Sequence, residues 1–209
     1  NNCIKILSEK SKDIDVFCWL VEAQLRLEGF VGLSDALNAF NVVIQSYWGD
    51  VHPAIYETSE ERLSAFSALN GKAGNGGLLQ ALRLAPLVPH IPFGQFGLWD
   101  YIKSRRSENS ELREQMNNAA FHAGKSAMLT HMETIDRCNS NLRSLSDTFK
   151  LYCTDDAPNI SDMSDILDQA ASAIRDINNA NWFITAPAGA QSHSDRMPAE
   201  QDHQAENEN

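Results

Sequence analysis

The sequence has few basic residues for its length. It holds 17 Lys and Arg against 28 Asp and Glu, which gives a formal net charge of −11 at pH 7. Binding to duplex nucleic acid requires clustered Lys and Arg that neutralise phosphates. The composition therefore argues against nucleic acid as a partner. The excess of acidic residues favours a role in solubility, with a specific basic partner as the alternative.

Long hydrophobic runs and paired cysteines are also missing. No apolar run approaches the about 20 residues that a membrane-spanning helix needs, so the sequence predicts no direct membrane insertion. No secretory leader is visible, although the chain begins Asn1-Asn2 without a Met. The absence of a CxxC pair favours small buried thiols in a reducing compartment over disulfides or zinc ligands. The four cysteines are Cys3, Cys18, Cys138 and Cys153.

Motifs for catalysis or cofactor binding are absent as well. None of the six histidines has the i, i+4 partner of a helical zinc site, and there is no Gly-x-Ser-x-Gly element. The glycine-rich loop from Gly71 to Gly77 lacks the P-loop order, because Ala73 stands where a Ser or Thr is needed. The sequence thus predicts no catalytic residue, cofactor or metal, and a plain loop between helices. A nucleotide-binding or hydrolytic enzyme that uses this loop is the alternative.

Helical periodicity is abundant, most clearly over residues 11–53. Apolar residues recur at helical spacing from Lys12 to Glu28 and again from Leu33 to Trp48. Gly29 tolerates the positive φ that ends a helix, and we expect a short turn at residues 30–31. This pattern predicts two antiparallel helices at the centre of the fold. Helical spacing assigns these side chains to the core: Val16, Trp19, Leu20, Ala23, Leu27, Tyr47 and Trp48.

Short helices and an aromatic crossing segment follow. Thr58 and Glu61 have capping-box spacing and open a predicted helix over residues 60–69, and a second short helix is predicted over residues 78–84. Prolines at positions 86, 89 and 92 mark an irregular segment whose aromatic residues should mostly pack on the domain. A charged linker is expected at residues 103–109. Some of the aromatic residues could instead form a protein-docking patch, and the candidate contact residues are Phe93, Phe96 and Trp99.

The second half of the chain predicts a long αα-hairpin. A helix over residues 111–121 should end near Gly124. The next helix, over residues 125–152, carries an apolar seam with a period of seven. The final helix, over residues 161–178, is its expected partner, with Pro158 in the turn. Pairing of part of the seam between protomers is the alternative. The seam comprises Met128, Ile135, Leu142 and Phe149, with Cys138, Leu145 and Tyr152 beside it.

No segment is typical of a strand, so the predicted fold class is all-α. We expect an antiparallel multi-helix domain over residues 1–182 that ends in the long αα-hairpin. Residues 183–209 are predicted to be a disordered acidic tail, because such a composition cannot bury enough surface to offset the entropy of ordering it.

The stretch from Ser11 to Pro53 resembles the amino-terminal, ImpA-type domain of the TssA family, whose members are non-enzymatic components of bacterial type VI secretion machines. The resemblance covers residues 1 to about 180. The matching pieces stand in order and at the right spacing. They are Ser11-Lys12-Asp13, Trp19-Leu20, Leu25-Arg26-Leu27-Glu28-Gly29-Phe30, Gly32-Leu33, Tyr47-Trp48, His52-Pro53, Leu69-Asn70-Gly71, Leu78-Leu79, Ala81-Leu82-Arg83 and Ala85-Pro86-Leu87.

The resemblance implies a protein-docking module that helps prime and coordinate assembly of the tail tube and sheath. Implied partners are baseplate, tube, sheath and membrane-complex proteins, and the implied location is the cytoplasm, at the apparatus on the inner membrane. Proteins of this family continue into further domains, one of which assembles into rings. A homo-oligomeric ring formed through a region outside this chain is therefore expected. A related protein that carries the same domain and stops sheath growth is the alternative.

Overall fold

The computed structural model of the chain describes residues 2–54, 58–71 and 77–184, with side chains described as far as residue 179. Within these ranges the fold is all-α, as predicted, with no strand and one isolated bridge between Asp13 and His52. Short 3-10 turns occur at Ser107–Asn109 and Thr154–Asp156. The helices are α1 (Asn2–Glu9), α2 (Ile14–Tyr47), α3 (Ser59–Arg62), α4 (Ser64–Leu69), α5 (Gly77–Leu84), α6 (Leu98–Ser104), α7 (Ser110–Ala123), α8 (Lys125–Cys153) and α9 (Ser161–Ile184).

Helix α2 is a hairpin of two helical arms rather than one straight helix. Gly29 has φ 61° and ψ −146°, and there the chain reverses between a first arm, residues 14–28, and a second arm, residues 30–47. The rings of Phe17 and Phe40 stack across the arms with centroids 4.8 Å apart. At the open end, the Ile14 N–H donates to the His52 carbonyl over 2.9 Å. The predicted antiparallel pair is therefore confirmed, with Gly29 as its hinge.

One detail of that prediction is wrong. Residues 30 and 31 were expected to form a separate turn, but they lie in the first turn of the second arm. The arms then approach so closely that a Cβ on Gly32 would lie 2.5 Å from the Gln24 carbonyl oxygen. The connection is tighter than expected because Gly29 alone makes the reversal.

Helix α2 also has the length and apolarity of a membrane-crossing helix, although half of its apolar window is buried inside the protein. The reversal at Gly29 divides it into two arms. Each arm is shorter than the about 20 residues that cross a bilayer.

Several side chains of α2 that were assigned to the core lie on the surface. Trp19 is 63%, Leu27 74% and Tyr47 45% exposed, so their predicted burial is wrong. The apolar residues of α2 extend over nearly its whole circumference, whereas the neighbouring helices cover only part of it. Periodicity therefore identified a buried helix without showing which side would remain open.

Four phenylalanines from three helices form the centre of the core. Phe40 stacks on Phe17 and meets Phe66 and Phe149 edge-on, at centroid distances of 5.9 and 6.0 Å. Phe40, Phe66 and Phe149 are fully buried. Edge-to-face aromatic packing adds to the gain from burying their surface. Helices α4 and α8 and the second arm of α2 therefore meet at one point.

Helix α8 is packed between two helices. Its predicted seam is buried at Met128, Ile135, Cys138, Leu142, Leu145 and Phe149, while Tyr152 is 40% exposed. Towards α9, the Asn139 side-chain amide donates to Asp168 over 2.6 Å and Arg175 meets Asp136, so the two helices are antiparallel. The predicted αα-hairpin is thus confirmed, and the second arm of α2 covers the other side of α8.

Other local predictions hold with small changes. Thr58 and Glu61 form the predicted capping box, but Leu63 divides the expected helix into α3 and α4. The predicted linker at 103–109 begins inside α6. The four cysteines are free thiols, and Cys18, Cys138 and Cys153 are buried. Burial raises the pKa of the Cys138 thiol to about 12. Helix α9 continues to Ile184, and the rest of the predicted disordered tail, residues 185–209, lies outside the described residues.

Candidate docking surface

The segment between α5 and α6, residues 85–97, carries two of the three predicted contact residues, Phe93 and Phe96, and has a defined backbone course. The Leu87 N–H donates to the Phe96 carbonyl over 2.9 Å, and the Gly94 N–H donates to the Leu84 carbonyl over 3.1 Å. His90, Gly94 and Phe96 have positive φ angles of 64°, 87° and 51°. The left-handed backbone conformation of these three residues folds the segment back on the end of α5.

The three candidate residues are spread over this segment and the first turn of α6. Phe93 is half-buried and lies under the Arg26 guanidinium, which is 5.4 Å from its ring centroid. Phe96 is half-buried against the core. Trp99, at the start of α6, is 46% exposed, with the Arg83 guanidinium 6.0 Å from its ring. Phe93 thus faces the first arm of α2, whereas Trp99 lies beside α5.

An open groove of about 310 Å³ lies between the tip of the α2 hairpin and the segment 85–97. On the hairpin side its lip carries Leu27 and Val31, which are 74% and 52% exposed. We call this the tip groove. The groove is mainly apolar and is flanked by a few charged groups, a composition typical of protein contacts. Its lining comprises Arg26, Leu27, Glu28, Gly29, Phe30, Val31, Pro86, Val88, Pro89, His90, Ile91, Phe93 and His131.

Sequence reasoning found Phe93 on one wall of this groove and missed the other wall. Leu27 was assigned to the core, and Val31 to a turn. The signal that pointed to the second wall was the surplus of apolar residues around α2, because three or four neighbouring helices cannot cover every face of one helix. Residues 72–76 of the glycine-rich loop lie outside the described residues.

His131 closes the inner end of the tip groove. Its Nε2 atom is 3.0 Å from the Pro86 carbonyl oxygen, and its ring meets the Phe30 ring edge-on at 5.7 Å. A carbonyl only accepts hydrogen bonds, so Nε2 carries the hydrogen. Burial lowers the pKa of His131 below its usual 6.5, nearby His90 lowers it further, and the bond to Pro86 opposes the change. The ring therefore joins α8 to the segment 85–97 in its neutral form.

Acidification is expected to destabilise the protein through His131. Because the pKa is lower in the folded than in the unfolded protein, the unfolded chain binds the proton first as the pH falls. The stability contribution is complete above about pH 6.5 and is lost as the pH falls from there through the folded pKa. Urea unfolding between pH 7.5 and 5.0 measures this loss. His131→Gln is the control, since an amide can still donate to Pro86, and parallel pH profiles for the two proteins would contradict the prediction.

Groups for metal-assisted chemistry do not converge in the part of the chain that the structure describes. No cluster of three or more His, Cys, Asp or Glu side chains occurs there. What the described surface offers is an apolar groove with exposed aliphatic and aromatic side chains.

Comparison with known proteins identifies the class of this region. Residues 1–71 match the family model of the ImpA N-terminal region of the type VI secretion system. The resemblance predicted from the sequence is therefore confirmed, and the matched region contains the whole α2 hairpin with its Leu27 and Val31 lip.

A solved structure extends the likeness to most of the fold. It is the N-terminal domain, including the conserved ImpA_N region, of the TssA component of the type VI secretion system from Burkholderia cenocepacia. The TM-score is 0.69 at 17% sequence identity, and the match covers 86% of this chain and 76% of that one. The two chains share a fold. No curated protein sequence matches the chain.

Proposed function

We propose that the chain is a non-enzymatic docking module of a type VI secretion apparatus that helps prime and coordinate assembly of the tail tube and sheath. The observation that carries this proposal is the ImpA N-terminal match over residues 1–71. The exposed lip of the tip groove lies inside that matched region. Partners would be baseplate, tube, sheath or membrane-complex proteins, and the module would act in the cytoplasm, at the apparatus on the inner membrane.

The tip groove supports this role physically. Leu27 and Val31 place aliphatic surface in water, and burying such surface against a partner is favourable by about 25 cal/mol per Å². Phe93 supplies an aromatic wall held in position by Arg26. Arginine and large aromatic side chains are enriched among the few residues that dominate binding energy, and less energetic contacts around them exclude water. Arg26 with Phe93 suits the first role, and the aliphatic lip suits the second. The proposed contact set is therefore Leu27, Val31 and Phe93, with Phe96 and Trp99 alongside.

A pull-down tests the proposal. The immobilised chain is offered purified baseplate, tube, sheath and membrane-complex proteins at several salt concentrations, which removes non-specific charge effects. We expect one component to be retained at moderate salt. Val31→Ser combined with Leu27→Ser removes two exposed aliphatic side chains whose burial would favour binding, so the double variant should lower the affinity about tenfold.

The chain offers a matched control for this experiment. Val42 on the second arm is 51% exposed, against 52% for Val31, so Val42→Ser changes the same residue type at the same exposure outside the groove. Its retention should equal that of the unmodified chain. Retention of no component would overturn the docking role, while equal losses for the Leu27→Ser/Val31→Ser variant and for Val42→Ser would overturn the assignment to the tip groove.

A further inference from the structure

A second surface lies at the open end of the α2 hairpin, away from the tip groove. Its base is Arg62 on α3, which is 2% exposed. The Arg62 guanidinium donates to the carbonyl oxygens of Trp48 and Pro53 over 2.9 Å each, and to that of Val51 over 3.1 Å. It also lies 4.2 Å from the centroid of the Trp48 ring. The indole is therefore held in place from the interior of the protein.

Tyr152 forms the layer nearest to solvent. Its ring stacks on Trp48 with centroids 4.9 Å apart and an angle of 15° between the planes. The Tyr152 hydroxyl donates to the Gln45 carbonyl over 3.3 Å, which fixes the direction of the ring. Tyr152 is 40% exposed, and Leu151 beside it is 81% exposed. The stacked rings of Trp48 and Tyr152 form what we call the aromatic platform, and the exposed Tyr47 and Leu151 are their neighbours in the chain.

Exposed acidic residues follow both rings of the platform closely in the chain. Asp155 and Asp156 follow α8 in an exposed 3-10 turn, and Asp50 is exposed just after Trp48. The basic side chains of the same region are engaged: Lys150 pairs with Asp147 at 2.9 Å, and the Lys12 ammonium lies 5.9 Å over the Tyr47 ring. The platform therefore combines aromatic faces with an excess of negative charge.

We infer that the aromatic platform binds a basic, arginine-bearing segment of a partner protein, with a guanidinium stacked on the outer face of Tyr152. The inference rests on the proposed docking function and names the chemistry of one partner. A guanidinium stacks on aromatic rings and pairs bidentately with carboxylates, and Tyr152 and Asp155 or Asp156 offer both. The protein already uses the same contact internally, where Arg62 covers Trp48. The exposed carboxylates of Asp50, Asp155 and Asp156 would draw a basic segment to this surface.

The probe for this inference is a capped hexapeptide of alternating leucine and arginine, titrated into the 209-residue chain. Binding is followed by the NMR signal of the Trp48 indole N–H, assigned with Trp48→Phe. A matched peptide carries citrulline, which keeps the planar shape without the charge. We expect the citrulline peptide to bind at least about tenfold more weakly, and Asp155→Asn with Asp156→Asn to weaken binding and flatten its salt dependence.

Variants of the platform locate the contact. Tyr152→Ala should lower the affinity for the arginine peptide about three- to tenfold, whereas Tyr152→Phe, which keeps the ring, should retain it. Phe121→Ala is the matched control, since Phe121 is 56% exposed on α7, outside both proposed surfaces. Tyr152→Phe also guards against a folding defect, since it alters only the hydroxyl.

Three results would overturn the inference: no binding, equal binding of both peptides, or equal losses for Tyr152→Ala and Phe121→Ala. The test uses peptides and no secretion protein, so its failure is separate from that of the docking role. If a secretion component is retained in the pull-down but the peptides fail, the platform assignment alone is wrong.

Discussion

Replacing Phe40 with alanine is expected to lower the free energy of unfolding by about 3–5 kcal/mol. Phe40 is fully buried and touches the rings of Phe17, Phe66 and Phe149. The substitution removes a ring from the point where α2, α4 and α8 meet, and three rings in close contact cannot collapse into the space left behind. Because a domain is typically stable by only about 5–15 kcal/mol, this one change removes a large share of the total.

Urea denaturation followed by far-UV circular dichroism measures the effect. Phe40→Leu, which leaves a smaller cavity, should cost less than Phe40→Ala, and the comparison separates cavity volume from loss of the aromatic contacts. Leu151→Ala serves as the surface control, because Leu151 is 81% exposed and its truncation should change stability by about 0.5 kcal/mol or less. A loss below about 1 kcal/mol in the free energy of unfolding of Phe40→Ala would show that the four packed rings do not contribute a large share of the stability.

The features that could be predicted from the sequence are those that depend on near neighbours in the chain. Gly29 and Gly124 were expected to end helices and have φ angles of 61° and 85°. The Thr58–Glu61 capping box forms as its spacing predicted, with the Glu61 N–H donating to the Thr58 hydroxyl over 3.2 Å. Caps and turns are decided by three or four consecutive residues, so local chemistry suffices to place them.

The packing partners of each helix could not be predicted in the same way. The apolar seam of α8 indicated a partner helix, and α9, which follows α8 after a short turn, was predicted to be that partner. The structure adds the second arm of α2, aligned in parallel, with hydrogen bonds from Asn141 to Ser34 and from Thr148 to Asn41 that all join residues 107 positions apart. The periodic pattern of a helix shows that it has a packing partner, but it does not identify a partner 107 positions away in the chain. The same limit explains why Trp19 and Leu27 were wrongly placed in the core.

The candidate surfaces contain both residues that could be predicted from the sequence and residues that could not. Phe93 was found because aromatic residues in a proline-rich segment stand out in the sequence. His131 and Val31 were not found as parts of a groove, since they lie on α8 and α2 and meet the segment 85–97 only after folding. Trp48 was expected in the core, and it packs against the core while partly buried. Its contacts with Arg62 and Tyr152, which join α3 to the end of α8, could not be predicted.

Replacing Gly32 with alanine is expected to open the α2 hairpin. The added methyl would lie 2.5 Å from the Gln24 carbonyl oxygen and 2.7 Å from the Glu28 Cβ. The first of these is a backbone atom of the first arm, so the clash is relieved only if the arms move apart. Such overpacking costs about 1–3 kcal/mol and occasionally more. Thermal and urea unfolding of Gly32→Ala measure the loss.

Two further glycines of the same region separate the steric cost of an added methyl group from its effect on backbone conformation. Gly29→Ala meets nothing within 4 Å, yet alanine disfavours φ 61°, so its expected cost of about 1–3 kcal/mol is purely conformational. Gly49→Ala also meets nothing within 4 Å and has no positive φ, so no loss of stability is expected. Equal stability of the Gly32 and Gly49 variants would show that the arms are not in close contact.

The Gly32→Ala substitution should also weaken retention in the pull-down. Leu27 and Val31 lie on opposite sides of Gly29 in the chain, so they form one lip of the tip groove only while the two arms stay together.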